Sequence, residues 1–224
     1  VNSTPRRERS KNEWILVNES GLAFFRFKTD EHIIAYSTAS STLKFLDHFQ
    51  PLLIKQVHSD KIIDIDRSKN RVGDGMITQE KNKVLGIKIA DCLPVFLFNE
   101  DKVCMIHCGW QGIIKNIARK ARKLMGEYEY VLGACIGPCC YEVGYDIAGL
   151  FRARHEHAVI ERAGKYFVDL KKAVIQDLGA ERMIGDLDLC TKCHPEYFYS
   201  YRRGDKDKRN YCIRTNIDLI EKTR

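Results

Sequence analysis

From Trp14 to Tyr36, apolar and polar residues alternate in short runs broken at Gly21 and Asp30-Glu31, a two-residue period that predicts two or three β-strands. Thr42 to Phe49 reads as a short helix. Leu52 to His58 reads as a strand ending at a histidine, and Asp60 to Asp66 as a further strand. Arg71-Val72-Gly73-Asp74-Gly75 is a turn, and Val84 to Ala90 an apolar strand that runs into Asp91-Cys92. After Gly109-Trp110-Gln111-Gly112 the period changes. Ile113, Ile114, Ile117, Ala118, Ala121, Leu124 and Met125 recur at helical spacing, with Lys115, Arg119, Lys120, Arg122 and Lys123 on the outer face. Further on, Val131 to Ile136 is a strand, Gly137 to Gly144 a loop, residues 146–157 and 169–178 are helical, and Phe198 to Tyr201 returns to strand. This order has no strict βαβ repeat, so the pattern predicts an α+β fold of mixed β-sheets with flanking helices. Residues 1–13 form a basic tail, and residues 14–224 form one domain.

Val95 to Phe98 and Asp101 to Ile106 flank a short polar connection, Asn99-Glu100, and read as an antiparallel hairpin. With Asn99 and Glu100 as the loop, counting back brings Cys92 opposite His107, where paired Cβ atoms stand about 4.5–5.5 Å apart. Pro94 suits the first residues of a strand or an edge, so Cys92 falls just before the regular ladder. A thiol and an imidazole then meet at the open end.

Composition narrows the setting. With 224 residues, 44% apolar and 30% charged, the chain is an ordinary globular protein with no apolar run near the roughly 20 residues of a membrane span. The polar start from Val1 to Asn12 lacks the apolar core of a secretion signal, so the expected location is cytoplasmic. Nine cysteines, an odd number in a chain too large to need staples, argue for reduced thiols. The net charge of +7 favours anionic partners. No ribonucleoprotein motif, zinc finger or recognition helix accompanies it, so nucleic acid is not the expected partner.

His58, Cys92 and His107 each sit at or near a predicted strand end, and two imidazoles with a thiolate suit a catalytic zinc that keeps one position open. Spacing alone also allows a core cysteine with two hydrogen-bonded histidines, or a Cys92 nucleophile with His107 as its base. The Gly109-Gly112 turn opens a helix whose free N–H groups suit an anion, or it is a plain turn with Trp110 as a packing anchor. Cys190-Thr191-Lys192-Cys193-His194 has the spacing of a c-type haem site, which would require export. As a structural zinc pair it lacks two further ligands, for which Cys212 with a distant histidine is a poor match, so packing cysteines are expected. His155-Glu156-His157 falls on a solvated helix face. In Phe198-Tyr199-Ser200-Tyr201-Arg202-Arg203, strand period puts Arg202 and Arg203 on opposite faces, one of them placed to meet an anionic substrate.

Together, Gln56-Val57-His58, Gly73-Asp74-Gly75-Met76-Ile77-Thr78, Ala90-Asp91-Cys92-Leu93-Pro94, His107-Cys108-Gly109-Trp110-Gln111-Gly112, Ile136-Gly137-Pro138-Cys139-Cys140-Tyr141-Glu142-Val143-Gly144 and Phe198 to Arg203 resemble the YfiH family. These proteins were once called multicopper polyphenol oxidoreductase laccase-domain proteins and are now associated with purine nucleoside phosphorylases. The resemblance spans residues 14 to 216. It implies a catalytic zinc held by His58, Cys92 and His107. It also implies phosphorolysis of adenosine, inosine and methylthioadenosine, with orthophosphate as co-substrate and adenosine deamination as a second activity. Family members are further linked to copper-dependent phenol oxidation and to peptidoglycan editing.

Within that frame Asp91, beside Cys92, is expected as a proton carrier or a partner that orients the ligands, and Arg202 and Gln111 as substrate-binding residues. Gln111 departs from the family, which has arginine there; glutamine donates hydrogen bonds without charge. Copper is the alternative metal, since two histidines, a thiolate and a nearby Met105 resemble a blue-copper set. Seven histidines, only two of them closely paired, are too few for a multicopper cluster.

Overall fold

The computed structural model describes residues 13–19, 21–80 and 82–216, so nearly all of the expected basic tail lies outside the described residues. In chain order the strands begin with β1 (Ile15–Glu19), β2 (Leu22–Lys28) and β3 (His32–Ser37). Helix α1 (Thr42–Phe49) leads to β4 (Leu52–Leu53), β5 (Ile62–Asp64), β6 (Gly75–Thr78), β7 (Leu85–Ile89), β8 (Leu93–Phe98) and β9 (Val103–Cys108). Then come α2 (Trp110–Ile114), α3 (Ile117–Met125), β10 (Glu129–Leu132), β11 (Glu142–Val143), α4 (Tyr145–Arg152), β12 (Val159–Arg162) and β13 (Lys165–Val168). Helix α5 (Leu170–Leu178), β14 (Met183–Asp186) and β15 (Asn210–Asn216) complete the order. Among the described residues, no helix is long and apolar enough to cross a membrane.

Two six-stranded sheets, ordered β1-β2-β3-β15-β7-β4 and β14-β10-β8-β9-β6-β5, each mix parallel and antiparallel pairs, and a small sheet β11-β13-β12 stands beside them. The expected α+β architecture of mixed sheets with flanking helices is therefore what the chain forms. Period two explains how the layers meet. In β8 and β9, Leu93, Val95, Leu97, Cys104 and Ile106 face α3 and α5, whereas Phe96, Phe98, Val103 and Met105 face Phe27, Ile34, Leu85 and Ile87 of the first sheet. Helix α1 covers the outside of the first sheet through Phe45 and Phe49. Both faces of β8 and β9 are buried, which is why these strands are apolar apart from His107.

Several elements depart from their sequence expectation. Phe98 pairs with Val103 and Pro94 with His107, so the loop has four residues, not two, and Cys92 does not face His107. Asn99 causes the change: its side-chain oxygen accepts the N–H groups of Asp101 and Lys102, drawing both out of the ladder. The strand expected to reach His58 stops at Leu53, and the strand over 60–66 contracts to β5. The long helix after Gly109 breaks at Asn116, whose left-handed backbone (φ 70°) separates α2 from α3, although Ile113, Ile117, Ala118, Ala121 and Met125 are buried as the period requires. Helix 146–157 ends at Arg152. Phe198–Tyr201 is not a strand: Ser200 caps a tight turn over Tyr201–Arg203 by accepting the Arg203 N–H at 3.2 Å.

Candidate metal centre

Despite the shifted register, ligand atoms of His58, Cys92 and His107 lie within 4.8 Å of one another at the end of the second sheet. The β8–β9 pair brings His107, within β9, beside Cys92, which stands in the bend just before β8, and a separate bend adds His58. Asp91 and His58 both occupy the left-handed region, with φ 82° and 57°, a costly conformation for residues with a Cβ that reverses the chain at each ligand. Gln56 fastens the His58 segment to β7 by exchanging two 2.8 Å hydrogen bonds with the backbone of Lys88. At Gly109 a Cβ would stand 3.1 Å from both the Cys92 sulfur and the His58 ring, so only glycine leaves this space open.

Asp74, which the sequence offered only within a turn and a family motif and with no role of its own, organises the centre. Its fully buried carboxylate accepts the N–H groups of Val57, His58 and Ser59 at 3.2, 2.9 and 2.6 Å and the Ser59 hydroxyl at 2.8 Å. Its Oδ1 lies 2.9 Å from His107 Nδ1. One carboxylate thereby fixes two ligands. With Nδ1–H given to Asp74, His107 presents Nε2 as the lone-pair nitrogen, the arrangement by which a carboxylate orients and strengthens a metal-bound imidazole. Burial alone would raise the Asp74 pKa, but the hydrogen bonds from His107 and Ser59 outweigh it and hold the group well below the usual carboxylate range. The signal available in the sequence was an acidic residue between two glycines, Gly73-Asp74-Gly75.

Burial likewise opposes ionisation of Cys92, yet the neighbouring His107 and His58 lower its pKa to about 6. His107 moves in the opposite direction, upward, because the Cys92 thiolate and Asp74 outweigh its own desolvation. A deprotonated sulfur beside two imidazoles, one of them with its outer nitrogen held by Asp74, is the donor chemistry of a tetrahedral zinc with one position left over. The residues present fit that metal. Met105, weighed as an axial copper ligand, is fully buried between the sheets and does not line the site.

The three ligands open into a pocket of about 600 Å³. Lys55, Lys88, Arg202 and Arg209 place four cations on its wall against one carboxylate, Asp91, and Trp110, Tyr141 and Tyr201 supply aromatic rings. Gln111 lines the same pocket. Asp91 is already engaged: Oδ1 accepts the Thr191 hydroxyl at 2.6 Å and Oδ2 the Arg202 N–H at 2.8 Å. The two arginines divide their roles. Arg202 lies over the Tyr141 ring, 4.9 Å from its centroid, and donates to the Glu142 carbonyl, whereas Arg203 braces the turn through Asp205 and the Thr191 carbonyl. Helix α2 is only five residues long, so its start contributes little dipole to the pocket.

Elsewhere, two expectations are corrected. His155 is not on a solvated face but fully buried, 3.1 Å from Asp177, because the chain turns inward after α4; His157 is exposed. Cys190 and Cys193 are not isolated packing cysteines: the missing pair is Cys139 and Cys140, and the four sulfurs lie within 4.8 Å of one another. Cys212 is buried in β15, paired with Tyr36 and Ile87.

Two packed mixed sheets with a half-buried His-Cys-His centre opening into a cationic, aromatic pocket define a metal-site α+β protein of enzyme-like design. Residues 33–211 match the family model for multi-copper polyphenol oxidoreductase laccase, and the chain belongs to that family, which includes the YfiH proteins. A purine nucleoside phosphorylase of Clostridium acetobutylicum is 32% identical over 82% of this chain and 91% of its own length. One from Aquifex aeolicus is 38% identical over 68% of this chain and 76% of its own. The crystal structure of a Bacillus licheniformis hypothetical protein, YfiH, superposes with a TM-score of 0.78 at 20% identity, covering 89% of this chain and 98% of that one, and shares the fold.

Proposed function

We propose that this chain is a zinc-dependent purine nucleoside phosphorylase, in which orthophosphate attacks C1′ of the nucleoside and the purine leaves, giving the free base and the 1-phosphate of the sugar (ribose, or 5-methylthioribose from methylthioadenosine). Adenosine, inosine and methylthioadenosine are the substrates, with adenosine deamination as a second activity. The observation that carries this reading is the single pocket in which a His-Cys-His centre, four cations and three aromatic rings converge. Its volume of about 600 Å³ suits a nucleoside with a phosphate beside it. The names of the Clostridium and Aquifex relatives support the same reaction.

His58, Cys92 and His107 would hold the zinc, which supplies a Lewis acid and a fixed positive charge beside the reacting centre. Arg202, Lys88, Lys55 and Arg209 draw orthophosphate in and offset its charge as it approaches C1′. These cations take over the charge that arginine would bring at position 111, and Gln111 contributes hydrogen bonds alone. Trp110, Tyr141 and Tyr201 offer flat apolar faces to the purine. Of the two roles expected for Asp91, its two engaged oxygens support that of a positioning residue, holding Thr191 and the Arg202 backbone against the pocket. We place the enzyme in the cytosol, where nine free thiols stay reduced.

Incubating the purified protein with adenosine, with and without phosphate, tests the reaction. Adenine formed only with phosphate is the expected product pattern, and inosine marks the deaminase activity. Adenine released equally without phosphate, or no turnover by zinc-loaded protein, contradicts the proposal.

One observation favours a second reading. The lowered Cys92 pKa beside the raised His107 is also what a thiolate nucleophile and its base require. Zinc separates the two: phosphorolysis that survives metal removal and dies on alkylation of Cys92 supports a thiol enzyme.

A further inference from the structure

We propose that Cys139, Cys140, Cys190 and Cys193 form a second, closed zinc site that clips the loop around Gly137–Val143 to the loop around Leu189–Arg203. All four sulfurs lie within 4.8 Å of one another, with 3.4 Å between Cys140 and Cys193 and 3.7 Å between Cys139 and Cys193. A tetrahedron with zinc–sulfur bonds of about 2.3 Å has edges of about 3.8 Å, so these spacings are those of thiolates around one ion. A disulfide would draw two of them to about 2 Å and strand the other two. A sulfur-only set of four leaves no open position, which is the structural type of zinc site.

The backbone is arranged for it before any metal arrives. The parallel bridge between Cys135 and Cys190 brings the two loops side by side, so sheet geometry and not the sulfurs sets their approach. Cys190 begins a tight turn in which the N–H groups of Cys193 and His194 both donate to its carbonyl, and its sulfur accepts the Gly137 N–H at 3.2 Å. Backbone donors aimed at sulfur stabilise the thiolate that a metal needs. On the other loop the N–H groups of Cys140 and Tyr141 donate to the Gly137 carbonyl. A Cβ at Gly137 would lie 3.2 Å from the Cys139 sulfur and 3.4 Å from the Cys190 Cβ, so a side chain there would push the sulfurs apart. On binding, the four thiols release their protons to solvent and no electron is transferred.

The two loops carry Tyr141 and Arg202, which face each other on the pocket wall, and Thr191, which holds Asp91. The clip thus fixes one side of the pocket without touching the His58-Cys92-His107 centre.

Native mass spectrometry and elemental analysis of the full chain, purified with reductant, provide the test. Two zinc ions per wild-type chain are expected. One should remain in Cys190→Ser/Cys193→Ser and one in His58→Ala/His107→Ala. Cobalt replacement in the wild type needs no variant to fold: intense thiolate-to-cobalt and visible d–d bands of a four-sulfur tetrahedral site are expected, retained in Cys92→Ala and lost in Cys139→Ser/Cys140→Ser. One zinc per wild-type chain with no four-sulfur cobalt spectrum overturns the proposal. So does iron in place of zinc, or a Cys140–Cys193 bridge that leaves the intact mass two hydrogens lighter in freshly purified protein. Failure of phosphorolysis would leave the count of two zincs standing, and a count of one would leave phosphorolysis standing.

Discussion

The two candidate metal-ligand clusters of this chain are built on opposite plans. His58, Cys92 and His107 come from two bends and the end of β9, mix nitrogen with sulfur, and open into a cationic pocket, with Asp74 behind them fixing two of the three. Cys139, Cys140, Cys190 and Cys193 come from two turns and are all sulfur, and among the described residues no buried carboxylate is hydrogen-bonded to them; backbone N–H groups take that part. An open centre needs outer partners because three ligands alone do not fix a geometry that must also admit a substrate. A closed four-sulfur set fixes itself. On the proposed reading, the open cluster carries the chemistry and the closed one holds the pocket wall.

Breaking the open centre should have the largest effect. Cys92→Ala is expected to remove one zinc and lower phosphorolysis on the order of a thousandfold or more, as loss of the main charge stabiliser does, while the cysteine cluster keeps its metal. Elemental analysis with a phosphate-dependent assay of base release measures both. Asp74→Asn comes next. Weakening its bond to His107 should cost about 10–100-fold in zinc affinity, read by competition with a chelator, with the cysteine cluster again unaffected. An unchanged affinity would mean that the open centre needs no outer support and that the contrast is wrong.

Arg202→Gln sharpens the contrast on the substrate side. It should raise the KM for phosphate about tenfold, the scale of one charge-assisted hydrogen bond, with a smaller change in the KM for nucleoside. The smallest effect is on pH. Because the folded Cys92 pKa is lowered to about 6, its thiolate is present above that value and lost as pH falls through it. In metal-stripped protein, iodoacetamide labelling at Cys92 should therefore stay near its full rate at pH 7 and decline as pH falls below about 6. A labelling rate that climbs only above pH 8 would show an ordinary thiol.

Much of the fold was legible because its signals are local. The alternation from Trp14 to Tyr36 gave three strands, and α1 falls at Thr42–Phe49 as expected. The α+β class followed from the order of elements. Signals that depend on turns were lost: the side chain of Asn99 lengthened the hairpin loop, and Asn116 broke a helix whose period runs on unbroken in sequence. The candidate ligands His58, Cys92 and His107 converge even though the pairing that first joined two of them is off by two residues, because the β8–β9 hairpin still ends with Cys92 beside His107 and the bend at His58 closes on that end. Asp74 escaped notice because its partners Val57, His58, Ser59 and His107 lie 15 to 33 residues away. The cysteine cluster escaped for the same reason: Cys139-Cys140 and Cys190-x-x-Cys193 are each an ambiguous half, brought together by the bridge between Cys135 and Cys190.

The most direct test of the central claim is the initial rate of hypoxanthine release from inosine by zinc-loaded wild type and Cys92→Ala, each with and without orthophosphate. Release by the wild type only with phosphate, accompanied by ribose 1-phosphate in equal amount and absent from the variant, is the result predicted. Release that ignores phosphate, or that persists in the variant after its zinc is gone, would contradict the account.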